Sequence, residues 1–572
     1  MPADPDPEID KDESFDLVVL GAGGAGLAAA LFGAIAGLRP LVIEHTPFIG
    51  GTTAISAGSL WIPGTAAGRK ANPADSTEQA LAYLQACTGQ AEPDTMLRRF
   101  LEMGPRAASV LEQSSDVHLR AFALHPDYHS DLKGATLCGR VLEALPFDGR
   151  QLGADINMIR PPIAEFTVLG GMMVDRTDIG HLLRMTKSLA SLRHAARLVT
   201  RHAADRIRGR RSTRLVMGSA LIGRLLASLK KHSVPIWRET EVLALRGHER
   251  VTGVVVRRNG RDVRINARAG VVLAGGGFAG HAGLRQRLLP KIDTFSAAAP
   301  TSSGRLIELA LSLGARLGPE GSGHGFWAPV STRMRRDGTR AVFPHFVMDR
   351  AKPGTVVVDR SGRRFLNEST SYNLFAKAMI AANARTPSIP AFLIADHQAL
   401  TKYGLGLIRP GGWGLRRAQR DGYVMSAARI EELSEKLAIP ADKLGLTIAR
   451  MNAFAISGTD EDFGRGATAY QRNLGDPAMQ PNPTLGPIRT PPFHAIRLYP
   501  GEIGTSTGLV TDGDARVLGE TGPIAGLFAV GNDMQSIMRG AYPGPGITLG
   551  PAITFAYAVA MAAAQRRKDY HQ

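Results

Sequence analysis

The chain has 572 residues, 44% of them hydrophobic and 21% charged, with a formal net charge of +17. That length buries a large core and usually divides into more than one domain, and the composition is that of a globular protein rather than a disordered or fibrous one. Only Cys87 and Cys138 are cysteines, and they stand far apart, which argues against a disulfide scaffold or cysteine-based zinc site and fits a reducing compartment.

The opening segment, MPADPDPEIDKDESF, is acidic and proline-rich. It lacks the basic and apolar regions of a signal peptide, so residues 1–13 read as a tail and the expected location is cytoplasmic. SFDLVVLGAGGAGLAAALFGAIAGLRPLVIEH then reads strand, glycine turn, helix, strand. Phe15–Leu20 suits a buried parallel strand, and Leu27–Ala36 is alanine-rich and helical. Gly21, Gly23 and Gly26 form G-x-G-x-x-G, with Gly24 and Ala25 inside it. Alone that motif is weak. Here Glu44 ends a second strand about twenty residues on, which is the setting of a dinucleotide site. The glycines admit a pyrophosphate to the helix N-terminus, and Glu44 accepts hydrogen bonds from an adenosine ribose.

The small-residue loop after Glu44, HTPFIGGTTAISAGSLWIPG, favours FAD over a nicotinamide. Gly51, Thr52, Thr53, Ser56 and Gly58 let an extended flavin lie against backbone there. Arg184–Lys231 carries thirteen basic residues and one acid, Asp205. Within it Met185, Leu189, Leu192, Ala196 and Val199 have helical spacing beside a continuous basic face. A solvated face and an anionic-lipid contact both fit, and no nucleic-acid motif accompanies it.

RETEVLALR supplies a strand whose Val242 can meet an adenine. A meander follows, turning at Asn259-Gly260 and ending at Ala274, Gly275 and Gly276, again suited to a nucleotide. His324, in GSGHGFWAPV, is a candidate pocket-wall residue and equally a structural histidine. Leu527–Val530 gives a last strand into Gly531 and Asn532. The C-terminal RGAYPGPGITLGPAITFAYAVAMAAAQRR is apolar but broken early by Gly550 and Pro551, so it is not a membrane span. Ile547 and Thr548 head the helix it forms, whose positive end is expected to face the flavin. The histidines lack metal-ligand spacing, and neither G-x-S-x-G nor a P-loop is present.

Four blocks, VVLGAGGAGLAAA, GGTTAISAG, GRRFLNESTSY and GLFAVGNDMQSIMRGAYPGPGITLGPA, resemble the FAD-dependent family that holds fumarate reductase flavoproteins and 3-ketosteroid dehydrogenases. The resemblance implies an α/β fold: a discontinuous Rossmann-like FAD-binding domain (14–300 and 490–572) with an inserted α+β catalytic domain (301–489). It also implies which branch. Tyr372 stands where dicarboxylate enzymes carry arginine, GEIGTSTGLV lacks their histidine, and Thr52 stands where a covalently attached flavin needs one. The implied flavin is therefore non-covalent and the substrate a neutral ketone.

The ketosteroid 1-dehydrogenase pattern is matched by Tyr372, by Tyr542 and Gly546 of YPGPG, and by Tyr128 after HPD, with His125 departing from the usual aromatic. The implied roles are Tyr372 as base, Tyr542 hydroxyl and Gly546 N–H as the ketone's oxyanion hole, and Tyr128 as a proton relay. The expected reaction is 1,2-desaturation of a 3-ketosteroid, with electrons passed to an unidentified acceptor. Alternatives are 4-ene formation, reduction of another cyclic enone, and a flavoprotein whose main business is surface attachment.

Overall fold

The computed structural model describes residues 13–90, 94–209, 211–247 and 249–571, without the side chains of 568–571. Apart from Glu13, which opens the first strand, the expected tail lies outside the described residues.

Five strands run parallel, in the order Pro523–Ala529, Arg261–Leu273, Glu13–Leu20, Pro40–Ile43 and Ile236–Trp237. Leu17 through Leu20 are fully buried, because helices cover both faces of such a sheet and leave no polar side for alternation. The helix Gly24–Ile35 follows the first strand and packs against Met217–Lys231 and the C-terminal helix Leu549–His571. Gly253–Arg258 and Thr240–Arg246 extend the sheet antiparallel. Asn259 and Gly260 turn the meander with φ of 51° and 78°, as a two-residue hairpin requires.

A second, antiparallel sheet has the order Arg340–Pro344, Gly325–Met334, Phe493–Thr505, Ala391–Ala395 and Thr355–Val358. The long strand Phe493–Thr505 is central to this sheet, and the chain rejoins the parallel sheet at Arg516–Leu518. The two sheets meet where that strand ends. There a Cβ on Gly277 would lie 2.0 Å from the Thr505 hydroxyl and 3.1 Å from Asn532.

The basic stretch also differs from expectation. Its helix begins at Leu189, capped by the Ser188 hydroxyl, and runs to Arg208. Met185 lies in the break before it. Ser191, Ala195, Leu198, His202 and Asp205 are the buried side, so the apolar positions Leu189, Leu192 and Val199 point to solvent. Polar anchors hold the helix down instead, since His202 meets the Leu169 carbonyl and Asp205 meets Arg150 and Thr213.

Candidate active site

The first glycine turn is shaped by close backbone approach. A Cβ on Gly26 would lie 1.9 Å from the Gly21 carbonyl, and one on Gly21 would lie 2.3 Å from the Ala274 carbonyl. Strand, turn and helix can close only if both positions are bare. A Cβ on Gly23 would meet nothing within 4 Å, which leaves the approach to the helix N-terminus open.

Glu44 is buried. One carboxylate oxygen accepts the Ala22 N–H at 2.9 Å, and the other accepts the Thr46 N–H and hydroxyl at 3.0 and 2.9 Å. Burial acts to raise its pKa, but hydrogen bonds from His45, Ala22 and Thr46 outweigh it and hold the carboxylate below its ordinary value. An ionised acceptor with lone pairs to spare suits a ribose.

Thr52 accepts the Ala299 N–H through its hydroxyl at 3.0 Å, and Thr53 accepts that of Gly24 at 3.3 Å. Ser56 and Gly58 shape the loop: the Ser56 hydroxyl donates to the Thr53 carbonyl and accepts the Gly58 N–H. Gly51 sits with φ of 48° over the Gly23 Cα. Val242 lies on the strand Thr240–Arg246.

Ala274, Gly275 and Gly276 end the central strand. Asp533 ties that end to the last strand by accepting the Gly275 and Gly277 N–H groups at 2.5 and 2.8 Å. Gly531 faces Ala25, and a Cβ on it would come within 3.0 Å of that methyl. Gly531 and Asn532 share a small cleft with Phe326, Ile547, Thr548 and Ala552. The Thr505 hydroxyl is buried beside Gly277 and Asn532 without a hydrogen-bond partner. An orphaned donor there, the bare helix N-terminus and the anionic Glu44 together fit a bound dinucleotide. The sequence does not single out Thr505, because GEIGTSTGLV carries no motif pointing to it.

The three tyrosines expected from the sequence are brought together. Ring centroids are 5.1 Å apart for Tyr372 and Tyr542, 5.4 Å for Tyr128 and Tyr372, and 5.9 Å for Tyr128 and Tyr542. Tyr372 opens the helix Tyr372–Asn383, capped by Ser371. Burial, and then the neighbouring phenols, push the Tyr372 hydroxyl well above its ordinary value. Burial does the same for Tyr128 and lifts Tyr542 to about 12.

Gly546 has φ of +91°, and a Cβ would lie 2.4 Å from the Ser59 carbonyl. Its N–H donates to no backbone acceptor among the described residues.

Folding adds residues that the sequence does not single out. Tyr470 lies tilted 4.7 Å from Tyr128, Phe346 lies 4.7 Å from Tyr372, and Phe326 lies 5.3 Å from Tyr542. Arg350 is fully buried, its guanidinium donating to the carbonyls of His345, Phe346, Glu368 and Thr370. His324 is structural in its contacts: it meets the Thr507 hydroxyl at 2.9 Å and Glu320 at 3.7 Å. Among the described residues no acidic, histidine and cysteine cluster could hold a metal ion, and no helix is long and apolar enough to cross a membrane.

The FAD binding domain family matches residues 16–549. The 3-oxosteroid 1-dehydrogenase of Mycolicibacterium smegmatis is 34% identical, over 96% of this chain and 97% of that protein. The 4-oxocyclohex-2-ene-1-carboxylate 5-dehydrogenase of Sinomonas cyclohexanicum is 36% identical, over 95% and 92%. The crystal structure of the 3-ketosteroid delta1-dehydrogenase from Sterolibacterium denitrificans, in complex with 1,4-androstadiene-3,17-dione, superposes with a TM-score of 0.88 at 33% identity, covering 97% of this chain and all of that one. This chain belongs to the FAD-binding flavoprotein family that holds the 3-oxosteroid 1-dehydrogenases.

Proposed function

We propose that the protein is an FAD-dependent dehydrogenase that introduces a 1,2-double bond into a 3-ketosteroid. The observation that carries this reading is the buried cluster of Tyr372, Tyr542 and Tyr128, with Gly546 in the same loop as Tyr542 and its N–H without a backbone acceptor among the described residues. Tyr542 and Gly546 hold the ketone oxygen, so negative charge developing there meets fixed donors. Polarised in this way, the α-carbon becomes acidic, and Tyr372 takes its proton. Tyr128 shares or relays that proton. Bound FAD, held non-covalently, supplies the acceptor for the hydrogen leaving the β-carbon. Gly21, Gly23, Gly24, Ala25, Gly26 and Glu44 hold its pyrophosphate and ribose, and Val242 its adenine. Gly51–Gly58, Ala274–Gly276, Gly531, Asn532, Ile547 and Thr548 complete the cradle. On this reading the catalytic unit runs from 301 through the strand ending at Thr505.

A second reading is a smaller cyclic ketone carrying a carboxylate, favoured by the Sinomonas relative. Against it, Arg350, a cation beside the tyrosines, already gives four of its N–H groups to carbonyls, whereas a carboxylate wants an available cation. Anaerobic mixing separates the two. Androst-4-ene-3,17-dione is expected to bleach the flavin, and bleaching by 4-oxocyclohexanecarboxylate but by no steroid would overturn the first reading.

We also propose that the helix Leu189–Arg208 touches anionic lipid. Its exposed Arg193 and Arg197 stand beside Leu189 and Leu192, which are 82% and 50% exposed, the composition of an interfacial helix.

A further inference from the structure

The loop Tyr542–Gly546 carries both proposed ketone donors but has little means of holding itself, since Pro543 and Pro545 lack N–H groups. Its fixings come from outside. The Pro543 carbonyl accepts two hydrogen bonds, from the Tyr83 hydroxyl at 2.6 Å and the Tyr128 N–H at 2.9 Å. The Gly546 carbonyl accepts the Trp61 N–H at 3.1 Å. Gly544 packs closely against Trp61, where a Cβ would come within 2.8 Å of the indole.

Behind these contacts is one buried assembly. The Trp61 indole N–H donates to Asp127 at 2.9 Å, and Arg140 donates to the other Asp127 oxygen at 2.8 Å while pairing with Asp75 at 2.6 Å. The Arg140 guanidinium also lies 5.5 Å from the Tyr83 ring centroid and 5.6 Å from that of Trp61. Tyr83, Trp61, Asp127 and Arg140 are all at most 1% exposed. Asp127 directly precedes Tyr128, so the same carboxylate anchors the ketone loop through Trp61 and the relay tyrosine through the chain.

We propose that Tyr83, backed by Trp61, Asp127 and Arg140, is a positioning residue for the ketone: its hydroxyl fixes the Pro543 carbonyl and thereby the Tyr542 phenol. The inference rests on the proposed reaction, in which Tyr542 must meet an oxygen whose charge grows. Orientation of such a donor matters more to the transition state than to the bound ketone. Tyr83 touches no substrate on this arrangement and acts through the loop.

Tyr83→Phe keeps the ring and leaves the Tyr128 N–H on the Pro543 carbonyl, while removing the hydroxyl that donates to that carbonyl and accepts the His129 N–H. The expected result is a fall in kcat per bound flavin of roughly 10-fold with KM little changed, a size fitting one misaligned donor. Tyr83→Leu should lose no less. Estrone provides a readout that packing alone would not move, because its phenolate oxygen mimics the enolate. Bound estrone should ionise at a higher pH in Tyr83→Phe than in wild type. A Tyr83→Phe variant with wild-type kcat and wild-type estrone ionisation overturns the inference, as does a loss that only tracks lost flavin or a lowered Tm. Wild-type protein that no 3-oxosteroid bleaches overturns the proposed reaction instead, a result distinguishable from either of these.

Discussion

Tyr372 poses the sharpest chemical demand on a single residue. A base must be deprotonated to act, yet burial and two phenols hold its hydroxyl above the ordinary tyrosine value. In the free enzyme at neutral pH it is therefore overwhelmingly protonated, and kcat/KM, which reports the free enzyme, should climb with pH. The expected slope is about tenfold per unit up to the alkaline limit of stability. A profile flat from pH 6 to 9 would remove Tyr372 as the base. Tyr372→Phe should retain FAD while losing nearly all dehydrogenation. Tyr542→Phe should lose roughly 10²–10³ in rate, as for one oxyanion donor. The tyrosines Tyr128, Tyr372 and Tyr542 are legible in the sequence because each sits in a short motif. Tyr470 and Arg350 are not: ATAYQRN and VMDRAK have no distinguishing pattern, and only the folded chain carries them to the cluster.

Elements are legible where periodicity and glycine chemistry agree. The strand–turn–helix around Gly21–Gly26 and the Asn259-Gly260 hairpin form as expected because backbone sterics decide them locally. The strand Phe493–Thr505 finds its sheet only through tertiary pairing, since a long buried strand reads alike in either sheet, and partners from residues 325 and 391 onward decide it. Between elements, Asp533 joins the central and last strands, and burial pushes its carboxyl up to about 6. A folded-state value above the unfolded one means that the group favours the fold most at pH below about 4, and that this contribution is lost as pH rises through 6. Asp533→Asn mimics the neutral form. Relative to this variant, wild-type apoprotein should lose on the order of 1 kcal/mol of unfolding free energy between pH 5 and 7. An unchanged difference, read from urea midpoints, would show that Asp533 does not titrate there.

At the scale of the molecule, the net charge of +17 finds its meaning in where it sits. An apolar stripe beside basic residues normally marks a helix lying on its own core. Here the anchors beneath the helix Leu189–Arg208 are His202 and Asp205 rather than the stripe, and Leu189 and Ile207 are 82% and 87% exposed. The sequence carries the amphipathic pattern but not its direction, because the polar pairs that turn it outward come from Leu169, Arg150 and Thr213. A cation near an anionic bilayer contributes about 1 kcal/mol, so reversing two costs several. The double variant Arg193→Glu/Arg197→Glu should therefore sediment with phosphatidylserine-containing vesicles at least roughly tenfold less well than wild type. Neutral vesicles should capture little of either, and added salt should weaken wild-type binding. Turnover of a dissolved steroid should be unchanged in the variant, since neither arginine is in the tyrosine cluster. If wild type and variant sediment alike, the helix is a solvated face and the charge serves solubility.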